Sequence, residues 1–197
     1  MASHSLKNFS DEIKLPRAIL LALLLFISVP SGSSFAQEGN ATREAQVKTA
    51  FIYNFSKFTT WPDRAFQTLP NNLFPVCLVG SDPLGKLLGQ LAKSKTITDR
   101  TILFQSNPPQ HELGNCRILY ISSSESSRLD KILKSIAGHP VLTVGNSRGY
   151  AKRGVGINLF EKGGRLRFEI NHQAILKSGL TLSSELLVLG VLVKGEN

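Results

Sequence analysis

The side chains able to carry chemistry are few and far apart. Gly145-Asn146-Ser147-Arg148-Gly149 fits the G-x-S-x-G string of a serine-hydrolase elbow and follows the apolar run Val141 to Val144. His172 would be the base, and Glu161 or Glu169 the acid. An elbow leads into a helix, however, and the glycine-rich stretch after Gly149 is a poor helix former. Gly80-Ser81-Asp82-Pro83-Leu84-Gly85 joins a strand pattern to a helix start, where backbone N–H groups can take an anion. It lacks G-x-G-x-x-G and the P-loop lysine, so Asp82 and Pro83 read as a cap and a first helical residue. His111, His139 and His172 stand alone, with no C-x-x-C or H-x-x-x-H around them to hold zinc or iron. No catalytic, metal-binding or cofactor-binding residue is assigned, and no cofactor is expected. Cys77 and Cys116 remain as the reactive pair.

Their chemistry depends on the compartment. Lys7, Lys14 and Arg17 precede the unbroken apolar run Ala18 to Ile27, and Ser34-Phe35-Ala36 places small residues at −3 and −1 of a signal-peptidase site. Residues 1–36 are therefore expected to be a cleaved signal peptide, too short in its apolar part for the ~20 residues of a membrane span. Export makes the space around Cys77 and Cys116 oxidising, and an even count favours a disulfide; two separate buried thiols are the alternative. The formal charge of +9 would suit nucleic acid in a cytoplasmic protein. Processing removes three of 23 basic and two of 14 acidic residues and leaves a charge of +8, on a protein that does not meet the chromosome. A 42% hydrophobic, 19% charged composition excludes wholesale disorder, collagen and coiled coil.

The elements that position these residues follow from periodicity. Val47, Phe51, Phe55 and Phe58 fall at helical spacing up to Trp61-Pro62. Pro75 to Gly80, Thr101 to Gln105, Arg117 to Ser122 and Val141 to Val144 read as strands. Between them, Leu84, Leu87, Leu88 and Leu91 mark one helix. Leu129, Ile132, Leu133 and Ile136 mark another, with Ser122 and Glu125 at capping-box spacing. Ile157/Leu159 and Leu166/Phe168/Ile170 alternate around Lys162-Gly163-Gly164 as a β-hairpin whose outer face shows Arg165, Arg167 and Glu169. A short helix follows from His172 to Lys177, and an apolar segment from Leu186 to Val193. The expected fold is α/β, a single domain with a mixed β-sheet flanked by helices and one disulfide. Residues 37–43 are expected to be a disordered lead, 44–193 the α/β domain and 194–197 a flexible tail.

Four ordered blocks carry a family resemblance. Lys48-Thr-Ala-Phe-Ile-Tyr-Asn-Phe-Ser-Lys-Phe-Thr-Thr-Trp-Pro62 is similar to the N-terminal helix signature of the YfiR family of bacterial periplasmic proteins. Cys77 to Gly85 and Cys116 to Ser122 follow, then Val141 to Val144 through Arg167-Phe-Glu-Ile-Asn171 with Ser183-Ser184-Glu-Leu-Leu187, in the family's order over about residues 44–192. The resemblance implies a non-enzymatic periplasmic repressor that binds the periplasmic part of an inner-membrane diguanylate cyclase, lowering cyclic-di-GMP and biofilm formation. It also implies a Cys77–Cys116 disulfide and a homodimer. The second cysteine pair of some members, near the loop Gly145 to Gly156, is absent. Arg167 and Glu169 on the hairpin and Ile175 on the next helix are the expected partner-binding residues. A periplasmic small-ligand sensor, with its pocket between the aromatic helix and the sheet, is the alternative; a hydrolase using Ser147 is the third.

Overall fold

A computed structural model describes residues 34–67, 69 and 72–196, with side chains from Arg43 onward. The chain divides into two units, Met1–Gln37 and Glu38–Asn197. Of the first only residues 34–37 are described, so most of the expected signal peptide lies outside the described residues. Among the described residues no helix is long and apolar enough to cross a membrane.

The first helix, α1 (Ser34–Lys57), buries Ile52 and Phe55 and sets Phe51, Phe55 and Phe168 edge to face, with ring centroids 5.1 to 5.8 Å apart. Residues 37–43, expected as a disordered lead, are helical. An existing helix gains one hydrogen bond for each residue added, and Ala41, Arg43, Glu44 and Ala45 are good helix formers. At its other end Thr59 Oγ1 donates to Phe55 O, and β1 (Thr59–Thr60) leads into Trp61-Pro62, where α conformation is disfavoured.

The core of the fold comes from β2 (Leu73–Val79), α2 (Leu84–Ser94), β3 (Thr96–Ile97), β4 (Arg100–Ser106), β5 (Ile118–Ile121), α3 (Leu129–Ser135) and β6 (Leu142–Gly145). Then come β7 (Ile157–Lys162), β8 (Arg165–Ile170), α4 (His172–Lys177), β9 (Thr181–Leu182), α5 (Ser184–Leu189) and β10 (Val191–Leu192). Among the described residues eight strands form one mixed sheet in the order β10-β8-β7-β6-β5-β2-β4-β3. β4, β2, β5, β6 and β7 run parallel; β3 and β8 are antiparallel to β4 and β7, and β10 runs parallel to β8. β1 pairs with β9, tying the end of α1 to the C-terminal segment. Gly163 and Gly164, at φ 61° and 68°, make the tight turn of the hairpin, a conformation other residues resist.

Alternate residues of the central strands enter two cores. Val76, Leu78, Ile118 and Tyr120 pack with α1, α2, α4 and α5 on one face. Cys77, Val79, Leu119 and Ile121 pack with α3 on the other. Burial on both faces explains why these strands read as continuous apolar runs. The mixed α/β sheet flanked by helices, with its one disulfide, is therefore the observed architecture. α3 is shorter than its periodicity suggests: Ser122 Oγ caps the amide of Ser124 in a 3-10 turn, Ser123–Glu125, and the helix starts only at Leu129. Serine hydroxyls compete for nearby backbone groups, as Ser126 Oγ does for Ser123 O at 2.7 Å. The tail 194–196, expected to be flexible, is tied down where the Glu196 amide donates to Lys152 O at 2.8 Å.

Cys77 and Cys116 are bonded, with Cα atoms 5.9 Å apart across a separation of 39 residues. Both are buried in the α3-side core. Constraining a loop of that length in the unfolded chain stabilises by roughly 4 kcal/mol. The Cys77→Ala/Cys116→Ala variant is therefore expected to lose about 3–4 kcal/mol of unfolding free energy in urea titrations. In native buffer dithiothreitol alone should leave the wild-type bond closed to thiol labelling, and opening should require denaturant.

Candidate functional site

In an open sheet with parallel strands, ligands sit beyond the carboxyl ends of the strands at the point where the strand order reverses. Here the chain passes from β2 to β4 on one side and returns to β5 on the other, so that point lies between β2 and β5. The residues leaving these strands are Gly80, Ser81 and Asp82 after β2, Asn107 after β4, Ser122 to Glu125 after β5, and Asn146 after β6. Gly80, Ser81, Asp82, Asn107, Ser124 and Glu125 border a shallow depression of about 530 Å³.

The protein's own side chains fill the positions an anion would take. Gly80 N–H donates to Asn107 Oδ1 at 2.7 Å, and Asn107 Nδ2 donates back to Gly80 O. Ser81 N–H donates to Ser124 Oγ at 3.0 Å, while Ser122 Oγ donates to Ser81 O at 2.8 Å. Leu84 N–H donates to Asp82 Oδ1 at 2.9 Å, so Asp82 does cap the start of α2. The fit is close enough to demand glycine at 80 (φ 94°), since a Cβ there would run into the Ser124 hydroxyl. With these amides engaged, the turn offers no cradle for phosphate.

Asp82 also bridges three strands. Its Oδ2 accepts from Tyr120 OH at 2.9 Å and from Asn146 Nδ2 at 3.3 Å. Burial, reinforced by the Asp82 charge and hydrogen bond, holds the Tyr120 phenol protonated far above the usual tyrosine range. The loop after β6 is packed in the same way: Tyr150 is buried, its hydroxyl donates to Ser122 O at 3.0 Å, and Ala151 and Val155 are buried with it. Ser147 therefore opens a turn-rich loop and no helix follows it, unlike a nucleophile elbow. Among the described residues no three His, Cys, Asp or Glu side chains cluster closely enough to hold a metal ion.

The expected partner-binding residues separate. Arg167 is exposed on β8, and Glu169 lies half-buried two residues on, on the same outer face. Glu169 Oε2 accepts from Asn158 Nδ2 at 3.1 Å, and Asn158 Oδ1 in turn accepts from Ser147 N–H. Ile175 is not on that surface. It is 1% exposed in the core, so close to Gly156 that a Cβ there would sit 2.8 Å from Ile175 Cγ1. Its neighbour Leu176, 52% exposed, points outward instead. The pocket expected between the aromatic helix and the sheet is filled by the Phe51–Phe55–Phe168 cluster. A groove lined by Arg43, Glu44, Val47, Glu161, Gly164 and Leu166 lies farther along α1 beside the hairpin.

The mixed α/β sheet thus has its switch-point turn held by its own side chains and a charged outer face on its hairpin. Residues 45–191 match the YfiR/HmsC-like family, and the chain belongs to that family. This is a regulatory, non-catalytic family of periplasmic proteins in diguanylate cyclase signalling. Among solved structures, a conserved domain protein from Vibrio cholerae O1 biovar El Tor strain N16961 is similar at 12% identity with a TM-score of 0.49. The match covers 76% of this chain and 60% of that one, so the chain spans less than two thirds of that protein's length.

Two outcomes follow. Because the folded protein holds the Tyr120 proton more tightly than the unfolded chain, this stabilisation is complete below about pH 10 and is lost as pH rises further. Tyr120→Phe should lower stability by about 1–2 kcal/mol at neutral pH and flatten the alkaline fall in thermal midpoint; an unchanged alkaline limb would assign that fall elsewhere. Ile175→Asp should destabilise by about 3 kcal/mol or more, whereas Leu176→Asp should leave the midpoint within a degree or two of wild type. Differential scanning calorimetry separates the two.

Proposed function

We propose that this protein, exported after removal of residues 1–36, represses a membrane-anchored diguanylate cyclase by binding its periplasmic part, which lowers cyclic-di-GMP and biofilm formation. The observation that carries this reading is the family match across residues 45–191. The geometry supports it in two ways. The crevice where an α/β protein would hold a nucleotide is closed by Asn107, Ser122 and Ser124. The outer face of β7 and β8 contributes no residue to the α3-side core and presents Arg167 and Glu169 instead. In this reading these two charges contact the cyclase, Leu176 replaces Ile175 among the exposed candidates, and the acting form is a homodimer.

The test is intracellular cyclic-di-GMP in a deletion strain. Deletion should raise it and wild-type protein should restore it. Arg167→Glu should fail to restore it at normal periplasmic abundance and unchanged thermal midpoint. No rise on deletion, with no inner-membrane cyclase co-purifying, would overturn repression.

A further inference from the structure

Seven large aliphatic side chains are exposed among the described residues, and four of them lie within five positions: Val188 (85% exposed), Leu189 (71%), Val191 (50%) and Leu192 (59%). They stand on a fixed base. Ser183 Oγ accepts the Leu186 amide at the start of α5, and Leu186 itself is buried. Gly190 presses onto β8 so closely that a Cβ would sit 2.7 Å from Phe168 Cε2. The four side chains therefore protrude at the β10 edge of the sheet from a packed segment, not from a frayed end.

Their chemistry points away from a protein partner. Interface hot spots favour Trp, Tyr and Arg, with Leu and Val under-represented, and this knob holds only Val and Leu. Its area, on the order of 400 Å², is about half of what each partner buries in a standard complex. As a free edge β10 is two residues long, too short to template an added strand. A bilayer requires neither shape complementarity nor strand pairing and accepts protruding aliphatics directly.

Charge completes the pattern. Exposed Lys194 follows the knob within two residues. Lys152 and Lys177 line a groove of about 260 Å³ along the tail, next to Gly195 and Glu196. Among the described ion pairs none involves these three lysines; the acids of the segment are Glu185 and Glu196.

We propose that this corner docks on an anionic lipid surface, with Val188, Leu189, Val191 and Leu192 entering the acyl boundary and Lys152, Lys177 and Lys194 meeting headgroup phosphates. The proposal is independent of any cyclase contact and is tested without one. The processed protein should co-sediment with phosphatidylglycerol-rich vesicles and bind phosphatidylcholine vesicles at least tenfold less. Val188→Asp/Leu189→Asp should lose at least tenfold in partitioning with its thermal midpoint unchanged, and Lys194→Ala about fivefold, as expected for one cation near a charged membrane. Absence of co-sedimentation overturns the proposal. So does a double variant that binds vesicles like wild type; if light scattering then shows a smaller assembly, the knob belongs to a second copy of the chain.

Discussion

β2 and β5 lie side by side with both faces buried, and their pairing is locked at both ends. At the entry the Cys77–Cys116 bond joins them, and at the exit Tyr120 on β5 donates to Asp82 just beyond β2. Next to the disulfide, the buried Arg117 guanidinium donates to the carbonyls of Gly114, Asn115 and Pro140. Burial pushes its pKa down to about 10, so it is still a cation at neutral pH, held by carbonyl dipoles without an acid partner. It draws the end of a 3-10 turn, Gln110–Asn115, and the approach to β6 onto one side chain. The two cores share these central strands, so a one-residue slip of β5 along β2 would send Leu119 and Ile121 to the wrong face.

The same locking consumes the place where this architecture usually does its chemistry. Asn107 Oδ1 and Ser124 Oγ accept the Gly80 and Ser81 amides that would otherwise greet a phosphate, and Ser122 Oγ ties down the Ser81 carbonyl. A buried polar network stabilises only when its members are paired, and the closure around Gly80 meets that condition for these groups. In the proposed reading, recognition falls to the rim of the sheet. The β7–β8–β10 half lies beyond the α3-side core, and it holds both the charged hairpin face and the aliphatic corner.

Much of this was legible in the residue pattern because the deciding forces are local. Apolar runs gave the buried strands, glycine pairs the hairpin turn, and Asp82-Pro83 the start of α2. What was not legible depends on contacts between distant residues. Ala174, Ile175 and Leu176 span too wide an arc for all three to be buried, and only the approach of Gly156 decides that Ile175 goes inward. The apolar stretch from Leu186 to Val193 has no internal sign that Gly190, pressed against Phe168 and Ile170, ends a helix and starts an edge strand. Asn107, Ser124 and Asn146 are common polar residues far apart in sequence, and nothing in their spacing announces that they close one crevice.

The two halves of the molecule are nonetheless joined by hydrogen bonds. From the outer face, Glu169 accepts from Asn158, which holds the Ser147 amide; the adjacent Asn146 donates to Asp82, which accepts from Tyr120. Glu169 is thereby fixed before any partner arrives, whereas Arg167, two residues along the same face, is exposed and in no ion pair among those described. Ordering a long side chain on binding costs about 0.5–1.5 kcal/mol, and a carboxylate already held by its neighbours avoids most of it. Under the proposed docking, a contact made through Glu169 would be set geometrically by the core, while Arg167 would supply reach and charge. Substitutions in the central strands act through the amount of folded protein, and under the proposed docking substitutions at Arg167 act through affinity. Glu169 belongs to both groups, because replacing it also leaves the buried Asn158 amide without its acceptor.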